Sequence, residues 1–164
     1  MTIAATDRAA LEAAIVKAIA EGVTDLQEGE WEDHEWVHLF VDFEIGGDGG
    51  RSSSISFSLA RRPGEAVESM PFRMPWKAKR LLAELADGMG AQPKGRWSTV
   101  QIRIAPSGAY VMDYRYDPPY RLGGNLLDNR FRNYEAAWLA SDEGAPYRPK
   151  AASWGARIGR WLKR

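Results

Sequence analysis

The stretch EWVHLFVDFEIGGDGGRSSSISFSLA, from Glu35 to Ala60, decides the fold of this chain. Apolar side chains fill every second position of its first part, at Val37, Leu39, Val41, Phe43 and Ile45. Such a period of two predicts a β-strand, and we expect these residues to face the core. The positions between them mix aromatic and acidic groups, which we expect to face water or a partner: Trp36, His38, Phe40, Asp42 and Glu44.

A glycine-rich turn, GGDGG at Gly46–Gly50, separates this strand from a second alternating run. In that run we expect the apolar residues Ile55, Phe57 and Leu59 to face the core. The serines between them, Ser54, Ser56 and Ser58, are then expected to face solvent. Two alternating strands joined by a glycine-rich loop predict an antiparallel hairpin.

The segments around this hairpin predict two helices and a short strand. Apolar residues at helical spacing predict an amphipathic helix over residues 7–21, with Gly22 as its stop. A short third strand is predicted over residues 67–72. Pro75 favours the first position of a second helix that ends at Gly88, with Leu81, Leu82 and Leu85 as its apolar stripe.

The segment RWSTVQIRIAPSGAYVMDYRYD, residues 96–117, predicts a second hairpin around the turn Pro106–Gly108. Its core-facing residues are expected to be Val100, Ile102 and Ile104. On the return strand either face could be core; we favour the aromatic face, Tyr110, Met112, Tyr114 and Tyr116, over the face with Val111, Asp113 and Arg115. Asp128 is expected to cap a last helix that carries Phe131, Tyr134 and Trp138 on one face. The order α-β-β-(β)-α-β-β-α predicts an antiparallel α+β domain.

Composition restricts the class of protein. The chain has 164 residues, a formal net charge of zero and no cysteine, which excludes disulfides and thiolate zinc sites. The N-terminus lacks the pattern of a signal peptide, and no stretch approaches the ~20 apolar residues of a membrane span. We therefore expect a soluble, intracellular protein with a single domain over residues 1–145 and an extension over 146–164.

Charge is unevenly distributed along the chain. Acidic residues without any lysine or arginine fill the segment between Ala18 and Gly50, whereas the last twenty residues are basic and carry no acid. Such blocks form solvated faces, attract each other within the fold, or steer a charged partner. All three interpretations stay open at this point.

The basic extension has its own pattern, with Trp154, Ile158, Trp161 and Leu162 at amphipathic helical spacing. We expect this helix to pack on the domain. The alternatives are contact with a membrane surface, with nucleic acid or with another subunit.

Residues that could carry chemistry are few. His34 and His38 have the spacing of a metal pair on a helix, but in a strand they lie roughly 13 Å apart, too far to share one ion. We interpret them as surface histidines and predict no metal, no cofactor and no catalytic residues. The alternatives are a small hydrolase or ligand-binding enzyme that uses exposed carboxylates, and an adaptor that acts through the basic tail.

The segment from Trp36 to Trp138 resembles the YezG-like family of bacterial immunity proteins, the antitoxins of polymorphic secreted toxins. The similar residues are the strand EWVHLFVDFE, the serine-alternating strand SSISFSLA, and the hairpin that Trp97 leads, with Pro106-Ser107-Gly108 at its turn. The closing helix, with Arg132-Asn133-Tyr134 and Trp138, is also similar. The resemblance implies a cytoplasmic, non-enzymatic α+β protein that binds a toxin domain and blocks it.

Two surfaces are expected to contact such a toxin. We expect no nucleic acid as a partner. The first combines aromatic anchors with acids along the first strand and the loop before it: Glu30, Trp31, Glu32, Trp36, Phe40, Asp42 and Glu44. The second lies on the return strand of the second hairpin and the proline-rich loop after it: Asp113, Arg115, Asp117, Tyr120 and Arg121. The sequence leaves the oligomeric state open.

Overall fold

A five-stranded antiparallel sheet flanked by three α-helices makes up the residues that the computed structural model describes, 4–26 and 32–150. The elements are α1 (Ala5–Leu26), β1 (Glu35–Ile45), β2 (Ser52–Arg61), β3 (Glu68–Pro71), α2 (Trp76–Met89), β4 (Thr99–Ile104), β5 (Tyr110–Arg115) and α3 (Tyr134–Ala140). The strand order is β3-β2-β1-β4-β5. The prediction of an antiparallel α+β fold is confirmed. The predicted tail helix, and Glu30 and Trp31, lie outside the described residues.

β1 is the central strand and joins the two hairpins. It pairs with β2 over its whole length, and with β4 from Leu39 opposite Ile104 to Glu44 opposite Thr99. A strand in this position needs side chains that can be buried on both faces. Phe40, on the face of β1 that points away from α1 and α2, is an apolar aromatic residue of this kind.

α1 and α2 pack on the same face of the sheet. Their apolar residues, among them Ile15, Ile19, Leu82 and Leu85, form one core with the sheet residues Leu39, Val41, Phe43, Val100, Ile102 and Ile104. Tyr110, Met112 and Tyr114 pack at its margin, as predicted, whereas Tyr116 is exposed. α1 continues beyond Gly22, which is therefore not a stop. A Cβ at Gly22 would clash with the ring of Pro75, so this glycine allows α1 and the start of α2 to approach closely.

The opposite face of β1 is also buried, which corrects the expectation that it meets water. Phe40 packs against Phe57, Phe131 and Tyr134 at ring-centroid distances of 5.1, 4.9 and 4.4 Å. α3 and the chain leading into it cover this side of the sheet and supply those rings. Farther along, Tyr147 stacks on Trp138 at 5.5 Å, so the layer continues past residue 145.

A β-bulge between Trp36 and His38 reverses the predicted orientation of Val37. The extra residue lets Val37 join the second core with Phe40, while Trp36 packs against the helix-side core. The prediction that Val37 shares a face with Leu39 and Val41 is therefore wrong, because strict alternation fails where two residues oppose one.

The faces of β2 are also exchanged relative to the prediction. The register places Ser54 opposite Phe43 and Ser58 opposite Leu39, so the serines lie on the helix side. Ser56 and Ser58 are buried, and the Ser56 hydroxyl donates to the carbonyl of Phe72 at 2.6 Å. Their hydroxyls are satisfied by the segment around β3, and this is why polar side chains are tolerated there.

His38 is fully buried, so its interpretation as a surface histidine is wrong, and His34 is buried as well. His38 Nδ1 lies 3.2 Å from a Glu143 carboxylate oxygen, and Nε2 lies 2.7 Å from the Tyr134 hydroxyl. A neutral ring fits both partners if Nδ1–H donates to Glu143 and Nε2 accepts from Tyr134. Burial lowers the pKa of His38, although the Glu143 carboxylate opposes that effect.

The lowered pKa of His38 predicts a stability that depends on pH. Because the unfolded chain binds this proton more readily, the free energy of unfolding is highest above the ordinary histidine pKa of 6.5 and falls as the pH drops below it. We expect a slope of up to about 1.4 kcal/mol per pH unit from this group. Urea denaturation between pH 7.5 and 5 measures it.

The matched variants for this titration are His38→Gln and His34→Gln. His38→Gln is expected to reduce the pH dependence of the free energy of unfolding. His34→Gln is expected to retain this dependence, because His38 is unchanged. Equal slopes in the parental chain and in His38→Gln would contradict the assignment.

In the described part of the chain, no helix has the length and apolarity needed to cross a bilayer.

Candidate functional site

A buried guanidinium holds the proline-rich loop onto the sheet. Arg121 has only 8% of its surface exposed, and its Nη1 donates to Asp42 Oδ1 at 2.7 Å and to Asp128 Oδ2 at 2.9 Å. Its Nη2 donates to the Asp42 carbonyl at 2.9 Å, and its Nε donates to the Ser53 hydroxyl at 2.8 Å. The side chain therefore links the loop to β1 and to β2.

The carboxylate of Glu44 binds the backbone of the same loop. It accepts hydrogen bonds from the amide N–H groups of Tyr120 and Arg121 at 3.0 Å and of Leu122 at 2.9 Å. Successive amides that converge on one anion form a concave anion-binding backbone. Glu44 is buried in the sheet, so it fixes the path of the loop where the chain crosses β1.

Arg130 closes this charged cluster. Its Nη2 donates to Asp128 Oδ2 at 2.6 Å, and its guanidinium lies 4.1 Å from the centre of the Tyr120 ring. The hydrogen bonds from Arg130 hold the pKa of Asp128 well below its ordinary value. Asp128 is therefore a partner of the two arginines and not the predicted helix cap, because α3 begins only at Tyr134.

These contacts define an anchored loop, residues 117–128, with a charged underside and an outer surface in water. Gly124 gives the loop its turn, since its φ of 115° is strained for other residues. Leu126 and Leu127 follow this turn and are 87% and 85% exposed. Tyr120 is 37% exposed on the same loop.

The first predicted surface is not assembled as expected. Phe40, Asp42 and Glu44 are buried, so the prediction that they face a partner directly is wrong. The aromatic layer covers Phe40, and the anchored loop covers both carboxylates. Glu32 is exposed and Trp36 is half-buried.

Most of the second predicted surface is accessible. Asp113, Arg115 and Asp117 are exposed, together with part of Tyr120. Arg121 is the exception, because its guanidinium turns inward to the carboxylates of the first surface. Arg121 of the second predicted surface thus pairs with Asp42 and Glu44 of the first in one buried cluster. The anchored loop, and not β1, is exposed to solvent at this place.

Leu126 and Leu127 were not among the residues predicted to contact a partner. Their position could have indicated exposure, because adjacent leucines between GGN and DN belong to no helical or strand period. Leucines outside any period have no predicted core to enter, so exposure was the remaining possibility.

The group Glu143–His38–Tyr134 superficially resembles the carboxylate–imidazole–hydroxyl arrangement of some hydrolases. Burial raises the pKa of the Tyr134 hydroxyl, which disfavours the phenolate a nucleophile would need, and His38 has no exposed surface. An open cleft of about 320 Å³ runs past the Tyr134 ring, with Ile55, Phe57 and Phe131 on its apolar side and polar or charged residues at Ser69, Asp128, Asn129, Arg132 and Glu135. Within residues 4–26 and 32–150, no three His, Asp or Glu side chains are grouped to hold a metal ion.

Removal of the central guanidinium tests the anchoring. Arg121→Met leaves the buried carboxylates of Asp42 and Glu44 without their main cation, so we expect the free energy of unfolding to fall by about 3–5 kcal/mol. Urea denaturation measures this loss, and faster hydrogen exchange at residues 120–122 reports release of the loop. The matched control, Arg132→Met, alters an exposed arginine and is expected to cost less than about 0.5 kcal/mol. A similar loss in both variants would refute the special role of Arg121.

No protein-family model matches the chain, and no curated protein is significantly similar to it.

Proposed function

We propose that this chain is an immunity protein, which binds a secreted toxin domain stoichiometrically and blocks it without chemistry of its own. The observation that carries the proposal is the anchored loop, which holds Leu126 and Leu127 in water above a buried charged cluster. The resemblance to the YezG-like family supports the same function. We infer a cytoplasmic site of action from that resemblance.

The exposed leucines can contribute most of the binding energy. Full burial of a leucine side chain contributes about 1.5–3 kcal/mol, and neither leucine of the loop is used by the fold itself. Because Arg121 and Glu44 fix the loop beforehand, little conformational entropy is lost when a partner binds. Exposed polar groups of the same loop, at Asp117 and Asn125, suit the rim of a protein interface.

Electrostatic attraction contributes less than the acidic segment suggests. Asp42 and Glu44 are paired with Arg121 and Arg130, and Asp33 is paired with Arg62 at 2.8 Å. Exposed charges along β5 and at the start of the loop alternate in sign at Asp113, Arg115 and Asp117, and Asp113 is itself paired with Arg103 at 2.9 Å. We therefore assign orientation of the toxin to these charges, and affinity to the apolar tip.

Substitution at the tip tests the proposed surface. Leu126→Ala together with Leu127→Ala is expected to weaken binding of the toxin domain by more than about tenfold, with little loss of stability because both side chains are exposed. Calorimetric titration with the cognate toxin domain measures the affinity. The matched control is Trp76→Ala, which removes an apolar side chain that is 79% exposed at the start of α2.

Two results would contradict this assignment of the surface. One is unchanged affinity in the folded double-leucine variant, and the other is an equal loss of affinity in Trp76→Ala.

The immunity function itself is tested in cells. Co-expression of the full chain is expected to restore growth to bacteria that produce the cognate toxin domain, because the toxin is captured as a stoichiometric complex. Rescue is measured as plating efficiency, and the double-leucine variant should rescue poorly at equal abundance. Failure of the parental chain to rescue any growth, despite stable expression, would overturn the proposal.

A further inference from the structure

Among the described residues, nothing pairs with the outer edge of the sheet along the whole of β5. β5 pairs with β4 alone among the described strands, and no described residue hydrogen-bonds to the backbone on its other side. The strand is six residues long and contains no proline. Proteins usually protect such an edge with a bulge, a proline, an inward charge or a covering segment. The opposite edge, β3, has four residues and ends in Pro71.

The register shows which backbone groups of β5 are free. Ala105 N–H donates to the Ala109 carbonyl at 2.9 Å, and Ile104 lies opposite Tyr110. Hydrogen-bonded and non-hydrogen-bonded pairs alternate in an antiparallel ladder, so Val111 and Asp113 bond inward to β4. The N–H and C=O groups of Tyr110, Met112 and Tyr114 consequently point away from the sheet.

We propose that two copies of this chain associate through antiparallel pairing of their β5 strands, so that one sheet continues across the dimer. The second copy is favoured as the occupant because the charges on this strand are complementary to themselves. Asp113 and Arg115 lie two positions apart on the exposed face and carry opposite signs. A formal net charge of zero leaves no long-range repulsion between the copies.

Charge selects one register for the pairing. A two-fold axis through Tyr114 places Asp113 of each copy opposite Arg115 of the other, in the closely spaced non-hydrogen-bonded position. A shift of the register by two residues would place the Asp113 residues of the two copies opposite each other, and their like charges would repel. Asp113 already accepts from Arg103 at 2.9 Å, and its carboxylate has further acceptor capacity for the second arginine.

The edge is rigid and its length is limited. The Tyr114 hydroxyl donates to Glu12 of α1 at 2.6 Å, and the Arg8 guanidinium lies 4.9 Å from the centre of the Tyr114 ring. Pro118 and Pro119 end the pairing segment, and the short β3 edge does not offer a second site of equal length. The association therefore stops at a dimer. Its small interface predicts a dissociation constant in the ~micromolar range.

A charge exchange across the axis tests the proposal on the full chain. Analytical ultracentrifugation is expected to show a monomer–dimer equilibrium for the parental chain. Arg115→Asp alone and Asp113→Arg alone each place like charges opposite one another, so we expect each to weaken the dimer by about tenfold or more. An equimolar mixture of the two variants restores both opposite-charge pairs and is expected to dimerise again. Arg132→Asp, off the strand, makes the same charge change as Arg115→Asp and should leave the dimer intact.

Hydrogen exchange gives a second readout that does not depend on substitutions. Protection of the outward amides of Met112 and Tyr114 should increase with protein concentration, whereas the inward amides of Val111 and Asp113 should be protected at every concentration. Thermal melts confirm that each variant is folded.

Three results would overturn the proposal. They are a parental chain that stays monomeric at concentrations far above the micromolar range, a dimer that neither charge variant weakens, and a monomer whose outward amides are protected at every concentration. In the last case another segment of the same chain covers the edge.

Discussion

Asp42 and Glu44 lie on the central strand of a sheet that is buried on both faces, and the second layer of the protein depends on how these carboxylates are neutralised. An ionised carboxylate without a partner in that position would cost several kcal/mol. Arg121, Arg130 and three loop amides surround the two groups instead. The chain after β5 must therefore return over β1, and its aromatic residues are delivered to Phe40 as it does so.

The charged cluster and the aromatic cluster are successive parts of one layer. Moving along β1 toward the bulge, the chain covers Glu44 and Asp42 with the loop, Phe40 with Phe131 and Tyr134, and His38 with Trp138. Charged residues of the covering segment thus face the charged positions of β1, and its aromatic residues face Phe40 and His38. The covering segment, from the anchored loop to α3, runs antiparallel to β1. This correspondence makes the register of the second layer unique, since a shift would bury a charge against a ring.

Local patterns in the sequence predicted the elements well and their surroundings poorly. Periodicity identified β1, β2, α2 and the second hairpin, because spacing depends on backbone geometry alone. It assigned the serine face of β2 to water, since alternation shows which residues share a face but not what covers that face. The bulge at Val37 was likewise invisible, because an inserted residue preserves the composition of the strand.

The candidate surface was only half predictable for a related reason. Arg121 and Asp42 are 79 residues apart in the chain, and nothing local to either indicates that they meet. Exposed and neutralised carboxylates look alike in a sequence. The proline-rich loop was recognisable as a loop, but its role as a lid over β1 follows only from the return path of the chain.

The division between the two sides of the anchored loop has an evolutionary consequence. Residues that determine stability lie on its underside and depend on one another, so a change in Asp42 requires a compensating change in Arg121. The leucine side chains at the tip are almost fully exposed, so each can vary singly. Point substitutions at two neighbouring codons can therefore change the outer surface of the loop, while the buried cluster tolerates only paired changes.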